Sequence, residues 1–318
     1  SIGLEGRLVP FQLLVNLSLC LLVETFSESS IFHLGISNAV YHQPVYVGDT
    51  VRSFSVIDAI VPSSNKKFSI FKTRMVLVNQ NDEVVISMNR NSLFPYFEST
   101  LSIRKKIEIP DPALGLFEKI PSIRIREKLL QNSAAISSLI SDKHETFEQG
   151  DLVLHSLTRP MGLSNSVSFS TLYKNTHPLH INTARYGMKG LVVCGGFIIP
   201  IMHAAASRDI KFALDHEILN TMHINKIHHD DAIGAMTYVI DSKKVNDQFE
   251  CLTLRTFGLK NIDPEFDLTA TPIPNELLQS PKIMPRDIES LCSAFCPQLS
   301  HKICARMTWR VWRVWRVC

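Results

Sequence analysis

Apolar residues in this chain follow two different rhythms. From Leu8 to Val23 the run LVPFQLLVNLSLCLLV is apolar almost without interruption over 16 residues. It is shorter than a typical membrane span and carries Gln12 and Asn16, so it predicts a helix buried nearly all round. The stretches VRSFSVIDAIV (from Val51), FKTRMVLVNQ (from Phe71) and DEVVISMNRNSLF (from Asp82) are instead rich in β-branched and aromatic residues, with a turn at Asn81-Asp82. They predict successive β-strands.

The same order returns later. A second apolar run follows Gly190, and AMTYVID (from Ala235) and FECLTLRTFGL (from Phe249) then repeat the strand pattern. Pairing Asp49 with Asp231 gives an offset of 182 (231 − 49), and pairing Gly6 with Gly190 gives 184 (190 − 6). Two anchors in such agreement predict two copies of one unit. Each copy is α+β: one long apolar helix laid against a run of antiparallel strands. The second copy has further residues ahead of its helix, beginning ETFEQGDLV at Glu145, and the first has almost none. The chain opens at Ser1, and the first unit is expected to be N-terminally incomplete. The expected division is residues 1–98 for the first unit, 99–144 for a polar linker containing the helical stretch IREKLLQNSAAISSLI, 145–263 for the second unit, and 264–318 for a C-terminal extension. That extension ends in the low-complexity triplet repeat WRVWRVWRVC, which reads as an appendage without functional meaning.

Composition changes this picture little. With 318 residues, 45% hydrophobic and 20% charged, the chain can bury a large core. A net charge of +3 is too slight to imply nucleic acid, and the basic run Arg104-Lys105-Lys106 reads as a solvated linker face. Seven cysteines without a CxxC pair exclude a disulfide framework or a zinc site, and reduced thiols fit a cytoplasmic or mitochondrial-matrix location. HINKIHHDD (from His223) gathers imidazoles and carboxylates but is expected to open a strand rather than hold metal. No P-loop, GxGxxG, HExxH or GxSxG motif is present.

Two sets of residues carry a family resemblance. LVPFQLLVNLSL with NAVYHQPVYVGDTV resembles the helix and the P-V-x-x-G-D strand opening of MaoC-like hotdog proteins; TFEQGDLV with FSTLYKNTHPLHIN resembles their opening strand and hydratase motif. The likeness covers Gly3–Glu98 and Glu145–Asp263. Within the group, NTHPLH is most like the double-hotdog mesaconyl-CoA hydratases, also called β-methylmalyl-CoA dehydratases. The resemblance implies two hotdog units and reversible hydration or dehydration of an acyl-CoA thioester, with a mesaconyl-CoA-like dicarboxylic enoyl-CoA as substrate. It implies no cofactor beyond the CoA of the substrate, no nucleic-acid or membrane partner, and allows a homodimer. A dehydratase for carrier-protein-bound 3-hydroxyacyl chains and a non-catalytic acyl-CoA-binding protein are the alternatives.

The wider family carries an Asp five residues before its His; here Asn175 precedes His180 at that spacing. Asn cannot take a proton, so it is expected to orient water by hydrogen bonding while His180 moves the proton. Pro178 stiffens the connection between them. His177 is expected to stabilise the loop. Gly195 and Gly196 open the second apolar helix, and their N–H groups are expected to face a developing thioester oxyanion; relief of crowding against the sheet is the other reading. Arg185 is placed either at a substrate carboxylate or in a surface ion pair.

Overall fold

The two apolar runs become the two core helices, and both lie against one antiparallel sheet. The computed structural model describes residues 4–96, 113–132 and 145–314. The first half contributes α1 (Phe11–Cys20), a π-helical turn (Val23–Ser27), β1 (Phe32–Tyr41), β2 (Arg52–Pro62), β3 (Phe68–Val78) and β4 (Val84–Pro95). Two short helices follow, α2 (Leu114–Glu118) and α3 (Arg124–Gln131). The run Arg104–Lys106 and most of the expected linker lie outside the described residues. The second half brings β5 (Leu152–Pro160), α4 (Leu163–Leu172), α5 (Pro178–Ile181), α6 (Thr183–Gly190), α7 (Gly195–Asp209), β6 (Ala213–His223), β7 (Ala232–Lys244) and β8 (Phe249–Lys260). It ends with α8 (Pro264–Leu268), α9 (Asn275–Gln279), α10 (Pro285–Phe295) and β9 (Ile303–Val314).

Among the described residues the strands form a nine-stranded sheet in the order β2-β3-β4-β1-β6-β9-β8-β7-β5. The halves meet at its centre, where β1 pairs antiparallel with β6 through Ser37 and Asn220. Around that junction the order is symmetric: β4 flanks β1 as β9 flanks β6. The internal repeat is thus a property of the sheet. One core joins Leu14 and Val15 of α1, Ile198 and Met202 of α7, and Ile36, Met75, Leu254 and Trp309 of the strands. A second cluster covers the opposite face of the second half, where Met236 and Tyr238 of β7 meet Leu268, Leu277, Ile288 and Cys292 of α8–α10. The stretch Thr183–Asp209 is apolar and long enough to cross a membrane. Here Gly187 breaks it at a φ of 67°, and its apolar part is the core helix α7.

The chain's end corrects the reading of an appendage. WRVWRV fills β9, a central strand hydrogen-bonded to β6 and β8, so the second unit does not stop at residue 263. β9 is the counterpart of β4, displaced along the chain by the inserted helices α8–α10. A repeat of three on a strand of period two puts each residue type on both faces in turn. That pattern gives no strand signal, but it suits a strand covered on both sides. Trp309 is buried, and its indole, which can only donate, hydrogen-bonds Thr256 Oγ1 at 3.0 Å. The donor direction then propagates: Thr256 donates to Thr237 (2.9 Å), Thr237 to His155 Nε2 (2.8 Å), and His155 Nδ1–H to Asp209 (2.7 Å). Arg310 pairs with Glu217 at 3.1 Å, Trp312 stacks under Arg126, and Arg313 pairs with buried Glu250 at 2.9 Å.

Candidate functional site

A cavity of about 100 Å³ opens where the two halves face each other. From the second half, Asn175, His180, Cys194, Gly195, Gly196 and His223 line it; from the first half, Asn16, Cys20, His33 and Arg90. Four of the five residues expected at a site are therefore together. Arg185 is the exception: it is exposed, its N–H caps onto Asn182 Oδ1 at 2.9 Å, and its guanidinium sits 5.3 Å from the Tyr186 ring. It does not line the cavity.

Local chain geometry sets the motif. Helix α4 ends at Tyr173, and Lys174 adopts a left-handed φ of 58°, which turns the chain sharply. Asn175 then points inward, with its N–H on Ser170 O at 2.8 Å. Its side chain is buried: Nδ2 donates to Cys194 Sγ (3.0 Å), and Oδ1 accepts the His177 N–H (3.2 Å). A carbonyl oxygen has a second lone pair, so Oδ1 can still accept from a water. Pro178 starts α5 as its first residue, where a missing N–H costs nothing. His177 caps that helix: Nδ1 accepts the Leu179 N–H at 3.3 Å, and Nε2 donates to Ser30 O at 3.0 Å. Both of its nitrogens are thereby occupied in holding the loop to the first half.

His180 is arranged differently. Its Nδ1 lies 2.7 Å from Val192 O, and a carbonyl can only accept, so the proton is on Nδ1. Nε2 therefore carries the free lone pair. Burial lowers the His180 pKa to about 4, outweighing the Val192 bond that raises it. The ring is neutral near pH 7 and can take a proton.

The helix start at Gly195 is crowded as well as polar. A Cβ on Gly195 would come within 2.6 Å of the His223 ring, and one on Gly196 would collide with Asn16 Oδ1. Only glycine allows α7 to approach β6 and α1 this closely. The Gly196 and Phe197 N–H groups are directed to the Cys194 sulfur and favour its thiolate, but burial dominates and raises the thiol.

Among the lining residues that escape a reading by motif are Asn16 and Arg90. Each had one signal, a polar residue in an apolar position: Asn16 in the run Leu8–Val23, and Arg90 on the inward parity of β4 with Ile86, Met88, Ser92 and Phe94, all buried.

Acidification should reveal the buried imidazoles. Burial lowers His42, His180, His216 and His223 to about 4 from an ordinary value near 6.5. The unfolded chain thus binds more protons between pH 6.5 and 4, so stability is full above about 6.5 and is lost as pH falls through 4. Thermal melts should give a Tm that is flat from pH 8 to 6.5 and drops steadily below; a Tm unchanged at pH 4.5 contradicts this.

No family model matches the chain. Its sequence is 22% identical over 272 residues to the β-methylmalyl-CoA dehydratase of Chloroflexus aurantiacus, covering 82% of this chain and 75% of that protein. It is 21% identical over 247 residues to the mesaconyl-CoA hydratase of Cereibacter sphaeroides, covering 75% and 70%. The fold superposes on a MaoC domain protein dehydratase from C. aurantiacus with a TM-score of 0.71 at 20% identity, covering 99% of this chain and 84% of that one. It also superposes on a Mycobacterium tuberculosis protein described as a double hotdog, with a TM-score of 0.64 at 15% identity, covering 98% and 83%. The chain is a double-hotdog protein with the α+β fold of the MaoC-like dehydratases.

Proposed function

We propose that this protein is a hydro-lyase that adds water across, and removes it from, the double bond of an enoyl-CoA thioester. The observation that carries the reading is the orientation of His180: Nδ1–H is fixed on Val192 O, and Nε2 is left free on a cavity also lined by Asn175. In hydration, Asn175 Oδ1 accepts one hydrogen of the water, and His180 Nε2 takes the other as the oxygen bonds to Cβ. The electron pair moves onto the thioester oxygen, which the positive end of the α7 dipole favours; with the Gly196 and Phe197 N–H groups turned to Cys194, the Gly195 N–H is the backbone donor proposed for it. The imidazolium then returns its proton to Cα, so one water is consumed and the base is regenerated. This chemistry calls for no resident metal or redox group. Exposed Lys226 at the rim offers a charge to the CoA phosphates.

The substrate we favour is a dicarboxylic enoyl-CoA of the mesaconyl-CoA type, because the two named relatives act on such esters. A second reading, acyl-CoA binding without turnover, is favoured by one feature: Asn175 replaces an ionisable side chain. The test is a spectrophotometric hydration assay of the purified protein with mesaconyl-CoA and crotonyl-CoA. Loss of the enoyl-thioester absorbance is the expected result. Tight binding of both esters by folded protein without any change in absorbance would overturn the hydro-lyase reading.

A further inference from the structure

We propose that Arg90, carried by β4 of the first half, binds the free carboxylate of the dicarboxylic acyl group inside this cavity. The inference rests on the reading of the cavity as an acyl-thioester site and adds the residue that selects the acyl chain.

Arg90 is 5% exposed and lines the cavity. Its Nη1 is buried without a hydrogen-bond partner. Among the described residues the guanidinium donates one hydrogen bond, a long one from Nε to His33 Nδ1 at 3.4 Å, and it lies 5.7 Å from the Phe26 ring. The side chain forms no salt bridge to a described residue, and the cavity lining contains neither Asp nor Glu. By contrast, Arg313 is paired with Glu250 at 2.9 Å, and the equally buried Arg255 and Arg306 donate to the carbonyl oxygens of Leu278, Ser280 and Pro281. Burial lowers Arg90 only to about 10, so the group stays charged near neutral pH. A buried charge with neither a counter-ion nor a carbonyl acceptor is strongly unfavourable unless a ligand completes it.

The position of the charge decides what that ligand is. Arg90 lines the cavity together with Asn175, Cys194 and Gly195, and the His33 ring that accepts its Nε–H lies 5.3 Å from the His223 ring, which packs against Gly195. The guanidinium is thus beside the reacting end of the cavity, while the exposed Lys226 marks its mouth. An anion at Arg90 belongs to the acyl end of the substrate and not to the nucleotide phosphates. The planar guanidinium fork matches a carboxylate in two parallel hydrogen bonds. The halves then divide the work: the second holds the reacting groups, and the first identifies the acyl chain.

The test compares wild type with Arg90→Gln and Arg90→Lys. Titration calorimetry with free mesaconate, crotonate and inorganic phosphate is run beside turnover of mesaconyl-CoA and crotonyl-CoA. The expected result is that Arg90→Gln lowers the mesaconyl-to-crotonyl ratio of kcat/KM about a hundredfold, with Arg90→Lys between the two. Free mesaconate should bind wild type and lose measurable binding in Arg90→Gln, with crotonate weak in both. An unchanged ratio and unchanged mesaconate binding would overturn the subsite, as would Arg90-dependent binding of phosphate in preference to mesaconate. Mesaconate binding lost in Arg90→Gln supports the subsite even if wild type turns over neither ester; in that case only the hydro-lyase reading fails. Should Arg90→Gln not fold, Arg90→Lys carries the test, because a charge without the planar fork still lowers the ratio.

Discussion

Replacing His180 with alanine or glutamine is expected to reduce kcat about 10²–10⁴-fold, the usual contribution of a positioned general acid–base. This corresponds to about 3–5.5 kcal/mol of transition-state stabilisation. Val192 O fixes the tautomer, so Nε2 is the proton acceptor, and neither replacement side chain can accept a proton near pH 7. Burial also predicts the shape of the pH profile. With the His180 pKa lowered to about 4, the basic form dominates from pH 5 upward. The acid limb of kcat/KM for wild type should therefore fall near pH 4 and not near 6.5. Steady-state kinetics from pH 4 to 8 reads both effects. A variant within tenfold of wild type, at unchanged Tm, would remove His180 from the proton transfer, and an acid limb near 6.5 would show the ring to be solvated.

Ending the chain at Lys302 is expected to abolish soluble, cooperatively folding protein. The cut deletes β9 from between β6 and β8, which leaves the ladders of both strands open in the middle of the sheet. It also removes Met307, Trp309 and Val311 from the core. Each large buried side chain contributes about 1.5–3 kcal/mol through burial, against a total stability of about 5–15 kcal/mol for a typical domain. The milder variant Trp309→Ala should still fold and cost about 3–5 kcal/mol, part of it because Thr256 loses its indole donor. Expression, circular dichroism and thermal melting decide the matter. A truncated chain that is soluble and melts cooperatively would show that β9 is dispensable.

Both effects bear on how much of this protein its sequence discloses. The helices α1 and α7 are legible because unbroken apolar runs of that length suit only a buried helix. The strands β2, β3, β4, β7 and β8 are legible from β-branched and aromatic runs between turn residues. Asn175 and His180 stand out by motif, and the structure brings them to one cavity with Gly195 and Gly196. The tail misleads because its period of three matches neither a helix face nor an alternating strand. Its burial on both faces comes from segments distant in the chain: Trp309 and Val311 join the core beneath α1 and α7, and Arg126 of α3 lies over Trp312 on the other face.

Arg185 and Arg90 mark the same boundary at the site. Arg185 lies five residues after His180 in the chain, yet α6 holds it in solvent. Arg90 lies 90 residues before His180 (180 − 90), and the pairing of β1 with β6 brings its half of the sheet against the motif. By itself the sequence determined the two core helices, most of the strands, the twofold repeat and the histidine motif, because each depends on near neighbours and on the periods of local structure. Only the tertiary structure decided that the last strand lies at the sheet's interior, that the cavity forms between the halves, and that an arginine from one half lines the same cavity as the imidazole-bearing loop of the other. Those facts depend on which distant segments pair, and hydrogen bonding across a sheet leaves no period in either segment to record its partner.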